Sequence, residues 1–71
     1  MNIRRKSVAH LLKQNVECGI IVEGSMWREQ DLLVVSVLSP YGCCFTAKTA
    51  SLEKSYSRIM KIAVQHGENY N

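Results

Sequence analysis

Leu32-Leu33-Val34-Val35-Ser36-Val37-Leu38-Ser39-Pro40-Tyr41-Gly42-Cys43-Cys44-Phe45-Thr46-Ala47-Lys48 is the stretch on which the fold turns. Its first seven residues carry apolar side chains on both faces of an extended chain, which predicts a central strand over residues 32–38. Ser39-Pro40-Tyr41-Gly42 then places Ser, Pro and Gly at the first, second and fourth positions of a type I turn. Residues 43–48 alternate, with Cys43, Phe45 and Ala47 on one face and Cys44, Thr46 and Lys48 on the other. Two extended segments joined by a short turn predict an antiparallel hairpin across residues 32–48.

Upstream of this hairpin, Val16, Cys18, Ile20 and Val22 alternate with Glu17, Gly19, Ile21 and Glu23. A period of two with β-branched residues predicts a first strand over residues 16–23. Gly24 and Ser25 break it, and residues 26–31 read either as a loop or as more strand with a turn at residues 28–31. Before it, Val8, Leu11 and Leu12 have the spacing of one helical face behind a Ser7 cap, so a helix is expected over residues 7–14 with Asn15 as its stop. Downstream, Leu52, Tyr56, Ile59, Met60, Ala63 and Val64 form the apolar stripe of a second helix over residues 51–66. Thr49 or Ser51 caps it, Glu53 suits its positive end, and Gly67 stands where a terminating glycine belongs. The expected fold class is α+β, in the order α-β-β-β-α, with a three-stranded antiparallel meander and two helices on one face.

A chain of 71 residues, 46% hydrophobic and 21% charged, has the size and composition of one small globular domain. Three cysteines, Cys18, Cys43 and Cys44, two of them adjacent, make a poor disulfide framework. The basic start of the chain is not followed by an apolar stretch of signal-peptide length, and the longest apolar run, Leu32 to Val35, is four residues. These features point to a reducing, cytoplasmic setting away from membranes.

Catalytic and metal chemistry find little to stand on. His10, His66 and the cysteines lack any CxxC or HxxxH spacing, so Cys18 and Cys43 are expected to act as small core hydrophobes. Nothing places a base beside Cys44. Glu17 and Glu23, on one face of the expected first strand, would stand about 20 Å apart, beyond acid–base partnership. The four glycines are scattered and build no phosphate cradle. No metal, cofactor or catalytic residue is expected.

Charge is more informative. The net charge is +3, and the positive side chains gather at the ends of the chain. Lys54, Arg58 and Lys61 share a helical face with Gln65, Lys48 precedes that helix, and Arg4, Arg5 and Lys6 stand at the other end. Such a stripe can neutralise phosphates, which makes these seven cations the candidate nucleic-acid contacts. A second candidate surface is the sheet face that the helices leave open. Whichever side they cover, aliphatic residues of the middle strand remain outside. Leu32, Val34 and Leu38, with Ile21, Cys44 and the lone Trp27, form a candidate protein interface. A homodimer or a partner protein would bury it.

The element order and length resemble the double-stranded-RNA-binding domain. Of that family's lysine cluster opening the last helix, Lys54 is present, within Ala50-Ser51-Leu52-Glu53-Lys54; its proline and histidine loop signature has no counterpart in residues 24–30. The resemblance implies contact with RNA through that helix. Leu38-Ser39-Pro40-Tyr41-Gly42-Cys43 and Thr49-Ala50-Ser51-Leu52-Glu53 are also similar to the small antitoxins of the HicB type, which implies a partner protein. The function expected is that of a small, non-enzymatic regulatory or accessory protein acting through protein contacts, of the kind that phages and other mobile elements encode. The alternative is nucleic-acid binding through the basic residues.

Overall fold

The structure is a computed structural model that describes the backbone of residues 5–70 and the side chains of residues 7–69. Its elements are α1 (Arg5–Glu17), β1 (Glu23–Glu29), β2 (Leu32–Leu38), β3 (Cys44–Thr49) and α2 (Leu52–Tyr70). The class is α+β and the order α-β-β-β-α, as expected. The strands form one antiparallel sheet in the order β1-β2-β3.

The register assigns the two faces. Val35 stands between Met26 and Ala47, and Val37 between Gly24 and Phe45. This face meets Val8 and Leu12 of α1 and Leu52, Ile59 and Ala63 of α2 in one buried cluster, so both helices cover the same side. The opposite face carries Trp27, Val34 and Lys48 in one cross-strand row and Ser25, Ser36 and Thr46 in the next.

The expected first strand over residues 16–23 is not there. Helix α1 runs on through Asn15 to Glu17 and ends at Gly19, whose φ is +78°. The amide of Ile20 donates to the Asn15 carbonyl at 3.0 Å and that of Gly19 to the Val16 carbonyl at 3.1 Å. This crossed pair is the Schellman arrangement, which ties off the last carbonyls and needs a residue tolerant of positive φ. Asn15 therefore does not stop the helix. Its side-chain amide donates instead to the Leu11 carbonyl and to the Tyr56 hydroxyl, both at 2.9 Å, and so ties α1 to α2. Ile20 and Val22 lie in the connection, about half exposed, while Ile21 turns inward.

Strand β1 takes the stretch first read as loop or further strand. It meets β2 through the two-residue turn Gln30-Asp31, with Gln30 at φ 52°. Its inward face is thin because α1 presses on Gly24: a Cβ there would stand 3.0 Å from Leu12 Cδ2 and 3.2 Å from Ile21 Cδ1. The β2–β3 turn has the predicted composition. Gly42 N–H donates to the Ser39 carbonyl at 3.1 Å, and buried Ser39 Oγ accepts from the amides of Tyr41 and Cys43.

Ser51 caps α2, its Oγ accepting from the Lys54 amide at 3.4 Å. Thr49 Oγ1 accepts from the Ser51 amide and lies 2.8 Å from Ser55 Oγ. Ser55, fully buried, donates to the Leu33 carbonyl at 2.6 Å. Hydroxyls thus replace apolar packing where α2 leaves the sheet and satisfy backbone groups that burial would otherwise orphan. Gly67 does not end this helix. Its φ is not positive, and α2 continues past it to Tyr70, so residues 68–70 are helical and not a frayed tail.

Candidate functional site

Three surfaces remain on the outside of this frame. The first is the open sheet face. Val34 is fully buried there although no helix covers it. Its cross-strand neighbours are Trp27 and Lys48. Trp27 Nε1 donates to Glu29 Oε2 at 3.1 Å, and Lys48 Nζ approaches the two Glu29 oxygens at 3.3 and 3.2 Å. The carboxylate therefore links the outer two strands across the middle one, with Val34 between the tryptophan and the lysine in the same cross-strand row. Hydrogen bonds from Lys48 and then Trp27 hold the Glu29 carboxyl below the usual glutamate range. The next row is polar: Thr46 Oγ1 donates to Ser36 Oγ at 3.2 Å, and Ser36 Oγ lies 3.6 Å from Cys44 Sγ.

This arrangement corrects the expected protein interface. Ile21 is 1% exposed within the helix-side core, because it belongs to the α1–β1 connection and not to a strand. Val34 is sealed by the protein's own side chains. Leu38 is half-buried, and Trp27, Leu32 and Cys44 are exposed. What is left is a polar face with a few apolar side chains, not a continuous apolar sheet.

The second surface is the outer side of α2. Lys54, Arg58 and Lys61 are all exposed, and 3.6 residues per turn places them within about 60° of one another. The helical rise spreads them over about 10 Å. Among the described residues, none of the three has a carboxylate at ion-pair distance. Lys48 does not join them, because it stands on the open sheet face, across the sheet from α2, and is bound to Glu29. Arg4 lies outside the described residues, as do the side chains of Arg5 and Lys6.

The third surface has no local signature in the sequence. A cleft of about 270 Å³ opens between the end of α1, the β2–β3 turn and the second half of α2. Ile20, Tyr41 and Val64 line it, each about 40% exposed, over Ala63, and Glu68 stands at its rim. Val64 was expected in the core stripe of α2 but lies beyond its buried arc. Tyr41 packs edge-on against His66 at a centroid distance of 5.8 Å, and Phe45 packs on the same ring at 5.2 Å. The turn is thereby fixed to α2, and the cleft has a rigid wall. No sequence periodicity marks this site, because its residues come from three elements far apart in the chain. A second hollow of about 290 Å³, between α1 and β1, is lined by Leu12, Val16 and Met26, of which Val16 is the most exposed.

Cys18 is exposed beside the α1 cap and Cys43 is half-buried in the turn, so neither is a core residue. Among the described residues, no group of three or more His, Cys, Asp and Glu side chains is placed to hold a metal ion. No helix among them is long and apolar enough to cross a membrane. No family model, curated protein or solved structure matches the chain.

Proposed function

We propose that this chain is a small binding protein with a regulatory or accessory role, not an enzyme, acting in a reducing compartment through contact with another protein at the Ile20–Tyr41–Val64 cleft. One observation carries the reading: three large apolar side chains from three separate segments, the α1–β1 connection, the β2–β3 turn and α2, stay about 40% exposed around a single preformed hollow. Isolated exposed apolar residues are ordinary, whereas a cluster around a cleft marks an interaction site. The volume suits one or two side chains, in the way interfaces seat an apolar anchor. Glu68 at the rim favours an anchor with a basic neighbour. The experiment compares the native chain with Val64→Asp as baits in nuclease-treated lysate of the source cells. A protein retained by the native bait and lost with the variant, at unchanged circular dichroism, supports the reading. Equal retention by both baits removes it.

A second reading, nucleic-acid binding through α2, rests on the three exposed cations. Their span of about 10 Å lets them approach neighbouring phosphates of one nucleic-acid strand. The element order shared with the double-stranded-RNA-binding domain supports it as well, although the two-residue β1–β2 turn offers no long loop to reach a second groove. Replacing Lys54, Arg58 and Lys61 together with glutamine lowers the salt slope of binding by up to about three if all three meet phosphate. An unchanged slope by fluorescence anisotropy rules this reading out.

A further inference from the structure

The sheet has two edges, and they are not equivalent. Among the described residues, β1 and β3 end the strand order, so each has an outer side that no described strand pairs. A strand added to either edge has to keep the pleat, so residues that come to face each other must lie on the same side of the sheet. For β1, the two-fold pairing that uses all seven residues is centred on Met26. It sets Glu23 opposite Glu29 of a second copy at both ends, where like charges directly opposed are destabilising.

For β3, a two-fold pairing centred on Thr46 keeps the pleat, joins residues 44–48 and sets Cys44 opposite Lys48, Phe45 opposite Ala47 and Thr46 opposite itself. No like charges meet. On the helix side the large Phe45 meets the small Ala47. On the open side the hydroxyl row Ser25, Ser36, Thr46 continues into Thr46, Ser36 and Ser25 of the second copy, and facing threonines are a favourable cross-strand pair. We infer that the outer edge of β3 is the docking site of a second copy of this chain, paired antiparallel about a two-fold axis at Thr46. The product is a six-stranded sheet with four helices on one face. A two-fold contact of this kind closes on itself, whereas joining β1 of one copy to β3 of the next would propagate without end. The inference does not use the cleft and stands independently of it.

The test has two arms. In sedimentation equilibrium at micromolar concentration, the native chain is expected at about twice the 8.0 kDa of one chain. Thr46→Lys opposes two ammonium groups at the axis and is expected to raise the dissociation constant about tenfold or more, with circular dichroism unchanged. In the second arm Cys18, Cys43 and Cys44 are replaced by serine, and a single cysteine is introduced. Opposed Cα atoms in an antiparallel pair stand about 4.5–5.5 Å apart, within disulfide reach. Thr46→Cys is therefore expected to oxidise to a covalent dimer, and Met26→Cys, at the corresponding centre of β1, to stay monomeric. A native chain that is monomeric throughout, a Thr46→Lys variant that dimerises as before, or equal cross-linking of the two cysteine variants overturns the inference.

Discussion

The two faces of the sheet are dried by different means. On the helix side, Val35 and Val37 are buried under Val8, Leu12, Ile59 and Ala63, a second layer built for the purpose. On the other side, Val34 reaches the same full burial between its cross-strand neighbours Trp27 and Lys48, which Glu29 links to each other. Complete burial of a strand residue thus does not require a second layer when long amphipathic neighbours can lie across it. The two kinds of cover should fail differently. Packed layers fail by leaving cavities, and a cover of linked side chains fails by opening to water.

The largest effect is expected on the layered side. Ile59→Ala removes a fully buried side chain between helix and sheet and should cost about 3 kcal/mol in urea unfolding. A cost under about 1 kcal/mol would mean that α2 is loosely seated. On the same side, Gly24→Ala drives a methyl against Leu12 and Ile21 and should cost about 2 kcal/mol. Trp27→Ala removes a cross-strand neighbour of Val34 and should cost about 2 kcal/mol, with the helices still protected in hydrogen exchange and only β1 and the residues of β2 paired with it opening faster. Uniform loss of protection would erase the distinction between the faces.

The smallest effect concerns Glu29. Its carboxyl is held below the ordinary glutamate range in the folded chain by the hydrogen bonds from Lys48 and Trp27. A carboxyl depressed by folding stabilises at pH above its unfolded range, and that contribution is lost as pH falls through its folded value. Thermal melts of the native chain should therefore fall toward acid by slightly more than those of Glu29→Gln, and the two profiles should converge at the acid end. Trp27 is the single tryptophan, so its emission reports the same titration at the site itself. Superimposable pH profiles would show that the carboxylate contributes no cover.

The same contrast explains which parts were legible from the residues alone. β2, the turn and β3 announce themselves because their cues are local: β-branched residues, Ser-Pro-Tyr-Gly, and a clean alternation from Phe45 to Lys48. Helix α2 is legible from its stripe. The first strand was misplaced because residues 16–23 alternate like a strand but contain Gly19, whose positive φ ends a helix. The true strand offers a glycine and a methionine to the core, since the space a larger residue would fill is taken by α1. Its signal lies in the partner helix and not in its own pattern. The exposure of Lys54, Arg58 and Lys61 was readable from helical spacing, whereas Lys48 was assigned to the wrong surface by its closeness in sequence to α2. The sealing of Val34 depends on cross-strand register, and the cleft on three distant elements, so neither could be seen before the chain was folded.

The direct contact between Gly24 and Leu12 also has a kinetic side. The sheet is assembled from hairpins whose loops span two and five residues, so strand pairing closes short loops and can proceed on the microsecond scale. The seat of α1 on β1 is a contact between elements, separate from the hydrogen bonds that pair the strands. A methyl group at position 24 should therefore leave the folding rate nearly untouched and express almost all of its cost as faster unfolding, a φ-value near zero. The glycine sets how long the finished molecule lasts, not how quickly it is made.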